Sequence, residues 1–457
     1  MSENIFYRKA RGFQTKLFSD PYAALADSEK RAFTELSTDS DTGKRFIWNG
    51  KWWQRDAELV SLGDSAVNDA FGRLRVSNPE TIFDSKQLHD AQPLFWDDQE
   101  VSGSGTTSTH STAKAETVMA VSASTAGKRV RQTFMRFNYQ PGKSQLVFMT
   151  GRIGEPFPLA VKEIGIFDDD NGLFFRTDST TASVVTRSSA SGSPVDTQVD
   201  GADWNIDRLD GDGPSGLDYG VTYSDFSNPQ IFIIDFEWLG VGRVRMGVVV
   251  GGQVYYVHEF LNANNLANVY MSTPNLPIRY SIENTGFAGA TDMSHICSTV
   301  ISEGGSQDLG LLLHKDSGSV SGLSTGTSYA LIGLRLKSTH LDATIKLANA
   351  SVIASTNNDQ AHWEIILNPT IAGTFTYAGV TNSAVEAATG ATANTVTGGT
   401  VIDGGFFSTT QSISNALENA IRIGSTIAGV QDEIVLVVRA ITNNITVEGS
   451  ITWRELS

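Results

Sequence analysis

The residues Lys162–Phe175 decide the fold class, and they read KEIGIFDDDNGLFF. Two apolar segments flank a polar centre that ends in Asn171 and Gly172. Asn-Gly between two apolar segments is the strongest short-range signal of a β-hairpin with a type I′ turn. The sequence therefore predicts an antiparallel hairpin whose turn is centred on Asn171 and Gly172.

Similar strand signals recur on both sides of this hairpin. Residues 243–258 predict a second hairpin around Gly251 and Gly252, and alternating or apolar segments continue to the C-terminus. Many short strands with turn residues between them are typical of a sandwich or barrel. We predict a mainly β chain with two antiparallel β-sandwich or jelly-roll-like domains and a short N-terminal arm of helix and hairpin.

The composition agrees with a β-rich chain and excludes several classes of protein. Charged residues make up 18% of the 457 residues, against about 25% in an average domain, and glycine is abundant at 43. With 34 basic and 50 acidic residues the formal charge is −16, which argues against a nucleic-acid coat. The single cysteine, Cys297, excludes an intrachain disulfide and a cysteine-based zinc cluster. No apolar segment approaches the roughly 18 residues of a membrane span, and the first residues show no secretory signal.

Three segments are predicted along the chain. Residues 1–60 form an attachment arm, in which Asp20 and Pro21 start a helix over about 21–36 and residues 46–53 form a hairpin with an Asn-Gly turn. Residues 61–300 form a β-sandwich scaffold. The Gly-rich residues 302–306 mark the boundary to a jelly-roll-like β-domain, residues 301–457.

One segment is compatible with two kinds of secondary structure, and another predicts a helix. Residues 101–126 are rich in serine and threonine, which fits either a loop or a pair of polar, exposed strands. In residues 412–421 the apolar side chains of Ile413, Leu417 and Ile421 are spaced by four, which favours a short helix.

The arm is unusually rich in aromatic residues. Rigid aromatic side chains either fill the arm's own core or anchor it on a neighbouring subunit. The candidate interface residues are Trp48, Trp52, Trp53, Phe13 and Phe18.

Two acidic clusters are candidate cation sites. Asp207, Asp210 and Asp212 alternate with glycines and resemble part of a calcium loop, although the glutamate that completes an EF-hand is missing. The alternative is an ordinary polar loop. The second cluster, residues 168–170, is either a solvated hairpin turn or a calcium site.

No catalytic residue and no cofactor is predicted. The seven histidines are scattered, and His295 lies close to Cys297 without the helical spacing of a zinc protease. Residues 240–243, Gly-Val-Gly-Arg, continue into a strand and are not a phosphate loop. Glu237 beside Trp238 and Glu364 beside Trp363 are the carboxylates to test for a glycosidase, against the simpler reading that each strand alternates its faces.

Four short segments of the sequence resemble segments of a known protein family. They are residues 69–79 (DAFGRLRVSNP), 83–86 (FDSK), 139–144 (YQPGKS) and 165–172 (GIFDDDNG). Over residues 65–300 the chain resembles virion structural proteins of tailed bacteriophages and other large double-stranded DNA viruses. The resemblance implies a structural protein and does not distinguish tail, baseplate, fibre or head decoration.

Together, the residues and the resemblance predict a non-enzymatic structural component of a phage virion. We expect it in the tail or its adhesion apparatus, as a homo-oligomer assembled through its N-terminal arm with a β-domain displayed outward. The expected partners are copies of itself and neighbouring virion proteins, with a host-surface glycan left open, and neither nucleic acid nor membrane. The expected location is the virion, after synthesis in the bacterial cytoplasm, which suits a free cysteine. Two alternatives remain open: a capsid decoration or head-fibre protein, and a glycan-cleaving depolymerase.

Overall fold

The computed structural model describes residues 78–456, except for gaps at 221–222, 287–288, 355–359, 409–412 and 417–421, together with the backbone of three strands between residues 36 and 55. The chain divides into two compact units, Met1–Val76 and Ser77–Ser457. The helices of the described residues are two single 3-10 turns, Gly201–Asp203 and Ser224–Ser227, and the predicted mainly β fold is confirmed. No helix within these residues is long and apolar enough to span a membrane.

The first unit contains a small antiparallel sheet. Its strands are β1 (Leu36–Thr38), β2 (Arg45–Trp48) and β3 (Trp53–Arg55). β2 and β3 pair with Trp48 opposite Trp53, as the predicted hairpin requires. The predicted helix does not extend to Leu36, because this residue pairs with Ile47 of β2. The remainder of that helix, residues 21–35, lies outside the described part of the chain.

A first β-sandwich occupies the region from Glu80 to Ser302. Its strands are β4 (Glu80–Lys86), β5 (Trp96–Gly103), β6 (Thr106–Ser111), β7 (Glu116–Val121), β8 (Gly127–Thr133), β9 (Gln145–Arg152), β10 (Ala160–Phe167), β11 (Gly172–Thr177), β12 (Ala182–Ser188), β13 (Val195–Asp200), β14 (Gln230–Phe236), β15 (Val244–Val250), β16 (Gln253–Phe260), β17 (Ile278–Asn284) and β18 (Thr291–Ser302). One sheet has the order β13-β12-β11-β10-β17-β8-β5. The other has the order β16-β15-β14-β9-β18-β7-β6, with β4 also paired to β18.

The core of this sandwich lies between the two sheets. Ile164 and Ile166 of the first sheet and Phe232 and Ile234 of the second belong to one fully buried cluster. Because successive side chains of a strand point to opposite faces, residues two apart share the core face. Burying side chains of this size contributes about 1.5–3 kcal/mol each.

The hairpin that decides the fold forms, but its turn differs from the prediction. β10 and β11 pair from Lys162 to Phe167, with Phe167 opposite Gly172. Asp168 N–H donates to the main-chain oxygen of Asn171 (2.8 Å), so the turn centres on residues 169 and 170. Asp168 causes this shift, because its Oδ1 accepts the N–H of Asn171 (2.7 Å) and closes the turn earlier. Asn171 does not have the positive φ that a type I′ centre needs, so that turn type is wrong here.

The other predicted strand pairs fit the structure better. β15 and β16 form the second hairpin with Val250 opposite Gln253. Gly251 (φ +59°) and Gly252 (φ +81°) both have the positive φ of a type I′ turn. Within residues 101–126, β6 and β7 form a strand pair, but β7 is largely buried rather than exposed.

The second β-sandwich lies between Leu311 and Leu456. Its strands are β19 (Leu311–Leu323), β20 (Ser328–Leu336), β21 (Thr344–Ala354), β22 (Gln360–Leu367), β23 (Thr370–Ile371), β24 (Ala378–Gly379), β25 (Val385–Thr389), β26 (Val396–Thr397), β27 (Thr400–Ser408), β28 (Ile413–Ala416), β29 (Ile434–Ala440) and β30 (Ile445–Leu456). The sheet orders are β19-β30-β21-β28 and β24-β25-β20-β29-β22-β27, with β23 and β26 as a separate pair. A second hydrophobic cluster, which includes Leu334, Leu436 and Trp453, fills the space between the two larger sheets.

The helix predicted near residue 413 is wrong. Ile413–Ala416 is strand β28, and it pairs with residues 349–352 of β21. The backbone hydrogen bonds that a helix would make within the segment go to a sheet edge instead, so tertiary pairing overrides the local spacing. Residues 417–421 lie outside the described part.

The segment that joins the two sandwiches is bonded to the first one. Ser306 N–H donates to Glu80 Oε2 (2.7 Å), and Lys143 Nζ donates to the main-chain oxygen of Gly305 (2.8 Å). This segment therefore differs from a free Gly-Ser linker, which would behave as a random coil.

The two sandwiches also contact each other directly. Ile427 N–H donates to Asp97 Oδ2 (2.7 Å), and Ser425 N–H donates to the main-chain oxygen of Phe134 (3.3 Å). Thr344 Oγ1 adds a hydrogen bond to a main-chain oxygen of the first sandwich (3.4 Å). The predicted domain limits, 1–60, 61–300 and 301–457, remain predictions, but the structure joins the sandwiches by hydrogen bonds from several segments.

Candidate functional site

The outer face of the β10–β13 strands carries a ladder of alternating charges. In register, Glu163 lies opposite Arg176, and Arg187 lies opposite Asp196. Arg176 Nη2 contacts both Glu163 Oε1 and Asp196 Oδ2 at 2.7 Å. Arg187 binds Asp196 with Nε (2.7 Å) and Nη2 (3.0 Å), which is a bidentate contact. Each carboxylate of the ladder is thus held by at least one guanidinium.

Two phenylalanines complete this face. Phe167 and Phe174 pack with Val185 in a small buried cluster separate from the main core. The guanidinium of Arg187 lies 5.0 Å from the Phe174 ring centre, in cation–π range. Burial opposes ionisation of Asp196, but its hydrogen bonds to Arg187 and Arg176 outweigh this effect and lower the pKa of that carboxyl.

This electrostatic arrangement does not suit the acid of a glycosidase. The general acid needs a raised pKa so that it is protonated near neutral pH. Asp196 has a lowered pKa, and Glu163 is held in an ion pair. The ladder therefore stabilises the sheet rather than presenting a proton donor.

A groove of about 620 Å³ lies on the same sandwich. Strands β12 and β13 form one side, and the segment after β16, residues 261–270, forms the other. Its floor includes Thr186, which is 8% exposed. Thr186 Oγ1 is buried and has no hydrogen-bond partner among the described residues.

The wall of the groove is built by asparagine side chains that bind main chain. Asn205 donates from Nδ2 to the Glu259 oxygen (2.9 Å) and accepts the Glu259 N–H at Oδ1 (2.9 Å), which ties the loop after β13 to β16. Asn262 Nδ2 donates to the main-chain oxygen of Gly242 (2.8 Å), and Asn265 Nδ2 donates to the main-chain oxygen of Leu261 (2.6 Å). These bonds fix the groove wall without any ligand. In the sequence, the clustered asparagines of residues 262–268 were the available signal, and sequence reasoning missed it.

His295 and its neighbours form a buried polar centre between the sheets. Its Nε2 lies 3.1 Å from Ser298 Oγ, and its Nδ1 accepts a hydrogen bond from Arg131 Nε (3.2 Å). Burial, with the Arg131 charge adding to it, lowers the pKa of His295 well below its ordinary value. The serine–histidine contact resembles part of a hydrolase triad, but His295 is fully buried and Ser298 nearly so, and Arg131 stands where a triad has a carboxylate. Cys297 is half-buried, and burial raises the pKa of its thiol, which reduces its reactivity.

The residues of the predicted calcium loop are not brought together. Asp207 is buried, and its two oxygens accept the N–H groups of Leu209 (2.9 Å) and Ser215 (2.7 Å). Asp210 and Asp212 are exposed. Across the described residues, no three His, Cys, Asp or Glu side chains form a group that could hold a metal. Calcium binding by Asp207, Asp210 and Asp212 stays an untested prediction, as does calcium at residues 168–170.

The two predicted glycosidase carboxylates lie on different sandwiches. Glu237 follows β14 and accepts the N–H of Arg243 (3.2 Å). Glu364 lies on β22 with its Oε1 3.7 Å from His362, while its neighbour Trp363 is in the core of the second sandwich. The two carboxylates therefore do not form a pair with each other. On β22, Trp363 and Glu364 point to opposite faces of the sheet, as successive residues of a strand do.

The predicted interface residues all belong to the first unit, Met1–Val76. Trp48 and Trp53 lie on paired strands β2 and β3. Trp52, Phe13 and Phe18 lie outside the described residues. Their interface role remains a prediction.

Comparisons with known proteins found remote structural similarity. No protein-family model and no curated protein matches this sequence. The carbohydrate recognition domain of Emp47p aligns at 10% identity and a TM-score of 0.31, covering 51% of this chain and 99% of that one. A glycoside hydrolase family protein from Mycobacterium thermorestibile aligns at 12% identity and a TM-score of 0.32, covering 48% of this chain and 99% of that one. The CBM2 module of the evolved Dit of Lactobacillus casei BL23 phage J-1 aligns at 8% identity and a TM-score of 0.33, covering 51% of this chain and all of that one. These neighbours include both binding modules and hydrolases, and similarity at these scores does not transfer a function.

Proposed function

We propose that this chain is a non-enzymatic structural component of a bacteriophage virion, in the tail or its adhesion apparatus. In this proposal the N-terminal residues 1–60 attach copies of the chain to one another and to neighbouring virion proteins. The two β-sandwiches then project outward as one piece.

The observation that supports this proposal is the set of hydrogen bonds that connects the sandwiches. The linking segment is bonded to the first sandwich through Ser306 and Gly305, and a loop of the second sandwich binds Asp97. A particle component that presents a surface at a fixed place benefits from such a connection, because no linker entropy is lost when it engages a target. The phage setting itself derives from the sequence resemblance.

The charge ladder does not supply the proton donor that glycoside hydrolysis needs. Its carboxylates are held by Arg176 and Arg187, and the pKa of Asp196 is lowered. The pair of carboxyl groups that glycoside hydrolysis needs would require one protonated member.

The test is genetic complementation of particles that lack this gene. Cells supply either the full chain or a chain without residues 1–60, and purified particles are analysed by mass spectrometry. We expect the full chain in the particles and the truncated chain only in the soluble fraction. Normal incorporation of the truncated chain would refute the arm's role, and absence of the full chain from particles would refute the virion proposal. Copy number separates the alternatives, since hundreds of copies indicate the head and multiples of three or six indicate the tail.

A further inference from the structure

The second sandwich reaches the first through a short hairpin, residues 424–432, which we call the docking hairpin. Its base is closed by a hydrogen bond from Asp432 N–H to the main-chain oxygen of Gly424 (2.9 Å). At its tip, Ile427 N–H donates to Asp97 Oδ2 of the first sandwich (2.7 Å). The docking hairpin therefore crosses the joint between the sandwiches and is held at its tip by a carboxylate.

The base of the docking hairpin lies directly against the main chain of the first sandwich. Ser425 N–H donates to the main-chain oxygen of Phe134 (3.3 Å). A Cβ at Gly424 would lie 2.2 Å from the same oxygen, which is far too close for two atoms that are not bonded. Only glycine therefore allows the two main chains to approach in this way.

Two buried carboxylates from opposite sandwiches lie at this joint. Asp97 is 9% exposed and Asp432 is 5% exposed. Burial raises the pKa of the Asp432 carboxyl, and the nearby Asp97 carboxylate raises it further. Hydrogen bonds from Asn368 and Gly424 lower the pKa of Asp432 but do not outweigh the two other effects. A buried carboxyl beside a like charge is more stable when it holds a proton.

The burial of Asp432 depends on both sandwiches. Its side chain lines a cavity of about 130 Å³, together with Phe95, Phe134 and Met135 of the first sandwich. If the sandwiches moved apart, these three walls would be lost and the carboxyl would return to water. The pKa of Asp432 is therefore coupled to the contact between the sandwiches.

The other charged groups around the joint are bound or influenced by partners elsewhere. Arg422 lines the same cavity, but the carboxylate that acts on it is Asp308. Glu433, the next residue in the sequence, is bound by Arg335 (3.1 Å). Asp98 on β5 is bound by two arginines. The charge of the Asp432 carboxyl is thus governed by its burial and by Asp97.

We propose that the docking hairpin makes the contact between the two sandwiches pH-dependent, so that they hold together more tightly in acid than at neutral pH. In the docked state the Asp432 carboxyl keeps its proton to a higher pH than it would in water. Docking therefore gains stability as the pH falls through the raised pKa, and the gain is complete below the ordinary value of 3.8. At neutral pH the joint carries the cost of a buried charge.

This inference adds a form of regulation to the connection that the proposed function relies on. It concerns the chain alone, because every group that it uses belongs to the two sandwiches. It can therefore be tested on the purified protein, without particles.

The test measures amide hydrogen exchange of the full-length chain between about pH 4 and pH 7. The peptide that covers the docking hairpin reports on its opening, and the peptide that covers 434–440 reports on the second sandwich itself. We compare the unmodified chain with Asp432→Asn, which keeps a side-chain acceptor and stays neutral at every pH. Asp316→Asn, at an exposed aspartate of the same sandwich, is the matched control. Gly424→Ala calibrates the readout, because its added Cβ forces the hairpin away from the first sandwich.

At pH 7, Asp432→Asn should slow exchange of the docking hairpin by about threefold to tenfold relative to the unmodified chain. This ratio should approach one as the pH falls to about 4, because the unmodified chain then holds the proton as well. In a chain that carries Asp97→Asn, adding Asp432→Asn should have a smaller effect, because the like charge is already gone. Gly424→Ala should speed exchange of the hairpin, and Asp316→Asn should leave it unchanged.

Three results would overturn the assignment: Asp432→Asn exchanges like the unmodified chain at pH 7, its effect does not depend on pH, or the peptide 434–440 changes by the same factor as the hairpin. In the last case Asp432 would act on the stability of the second sandwich and not on the joint. Asp432→Ser, which is also neutral, repeats the comparison if Asp432→Asn does not fold. Incorporation into particles is measured separately in the complementation assay, so failure of this inference and failure of the virion proposal give different results.

Discussion

Lys162 allows a quantitative test of how the first sandwich is built. It lies on β10, on the same strand face as the core residue Ile164, and is only 3% exposed. Among the described residues its Nζ donates one long hydrogen bond, 3.5 Å to the main-chain oxygen of Glu155, and it lies 6.0 Å from the ring centre of Phe157. Burial lowers the pKa of the ammonium from 10.5 to about 8, and the Asp292 carboxylate opposes this only in part.

The cost of this buried charge follows from the pKa difference. A pKa of 10.5 in the unfolded chain and of about 8 in the folded chain differ by an amount that corresponds to about 3 kcal/mol. The charged lysine lowers the free energy of unfolding by that amount. At pH 7 the lysine is protonated in both the folded and the unfolded chain, so the folded state carries the full cost. Between about pH 8 and 10.5 the unfolded chain binds more protons, so the stability contributed by this group rises with pH.

Lys162→Met keeps the length of the side chain and removes the charge. We expect the variant to be more stable at pH 7 by about 1–3 kcal/mol, with some of the gain lost because the attraction to Asp292 is lost as well. The advantage should shrink as the pH rises from 8 to 10. Lys114→Met, at a side chain that is 74% exposed, is the control and should stay within about 0.5 kcal/mol of the unmodified chain.

The assay is urea unfolding of the full chain at several pH values, followed by tryptophan fluorescence. Hydrogen exchange of the peptide that covers 160–167 identifies the transition of the first sandwich, and the peptide that covers 434–440 reports on the second. Two results would refute the reasoning: a variant that is less stable than the unmodified chain at pH 7, or a difference that does not change between pH 7 and 10.

Three further predictions concern the same sandwich and the enzyme question. Arg176→Met should destabilise the first sandwich by about 3–5 kcal/mol, because it leaves the Glu163 carboxylate buried without its partner. Adding Glu163→Gln to this variant should restore much of the loss in thermal midpoint. Gly172→Ala should lower the thermal midpoint markedly, because the new Cβ would lie 2.0 Å from a phenylalanine Cβ on the paired strand; an unchanged midpoint would show that the turn relaxes. The unmodified chain, Glu237→Gln and Glu364→Gln should all release no reducing ends from host polysaccharide, whereas release that is lost in either variant would establish a glycosidase.

The sequence predicted the strands well because their signal is local. The spacing of Ile164 and Ile166 by two, and the Gly251-Gly252 turn, are both readable within a few positions. The type I′ turn at Asn171 failed because Asp168, three residues earlier, accepts the Asn171 N–H and moves the turn centre to residues 169 and 170. The Asn171 side chain binds Ser189 and Ser272, which are remote in sequence, and no local pattern reports such contacts.

The site was less predictable than the fold. The groove joins Thr186 to residues 261–270, and the ladder joins four strands, so both depend on the sheet order. Acidic clusters stand out in the sequence, yet the structure uses Asp207 and Asp168 to hold main-chain N–H groups in turns. A carboxylate beside glycines therefore indicates a turn at least as readily as a cation site.

The most direct test of the central claim is a density map of the intact phage particle in which this chain is located. We expect the chain to occupy the tail or its tip in a multiple of three or six copies, with residues 1–60 at the contact to its neighbours and both sandwiches facing outward as one piece. A particle that lacks the chain, or a chain whose two sandwiches point in unrelated directions from copy to copy, would contradict it.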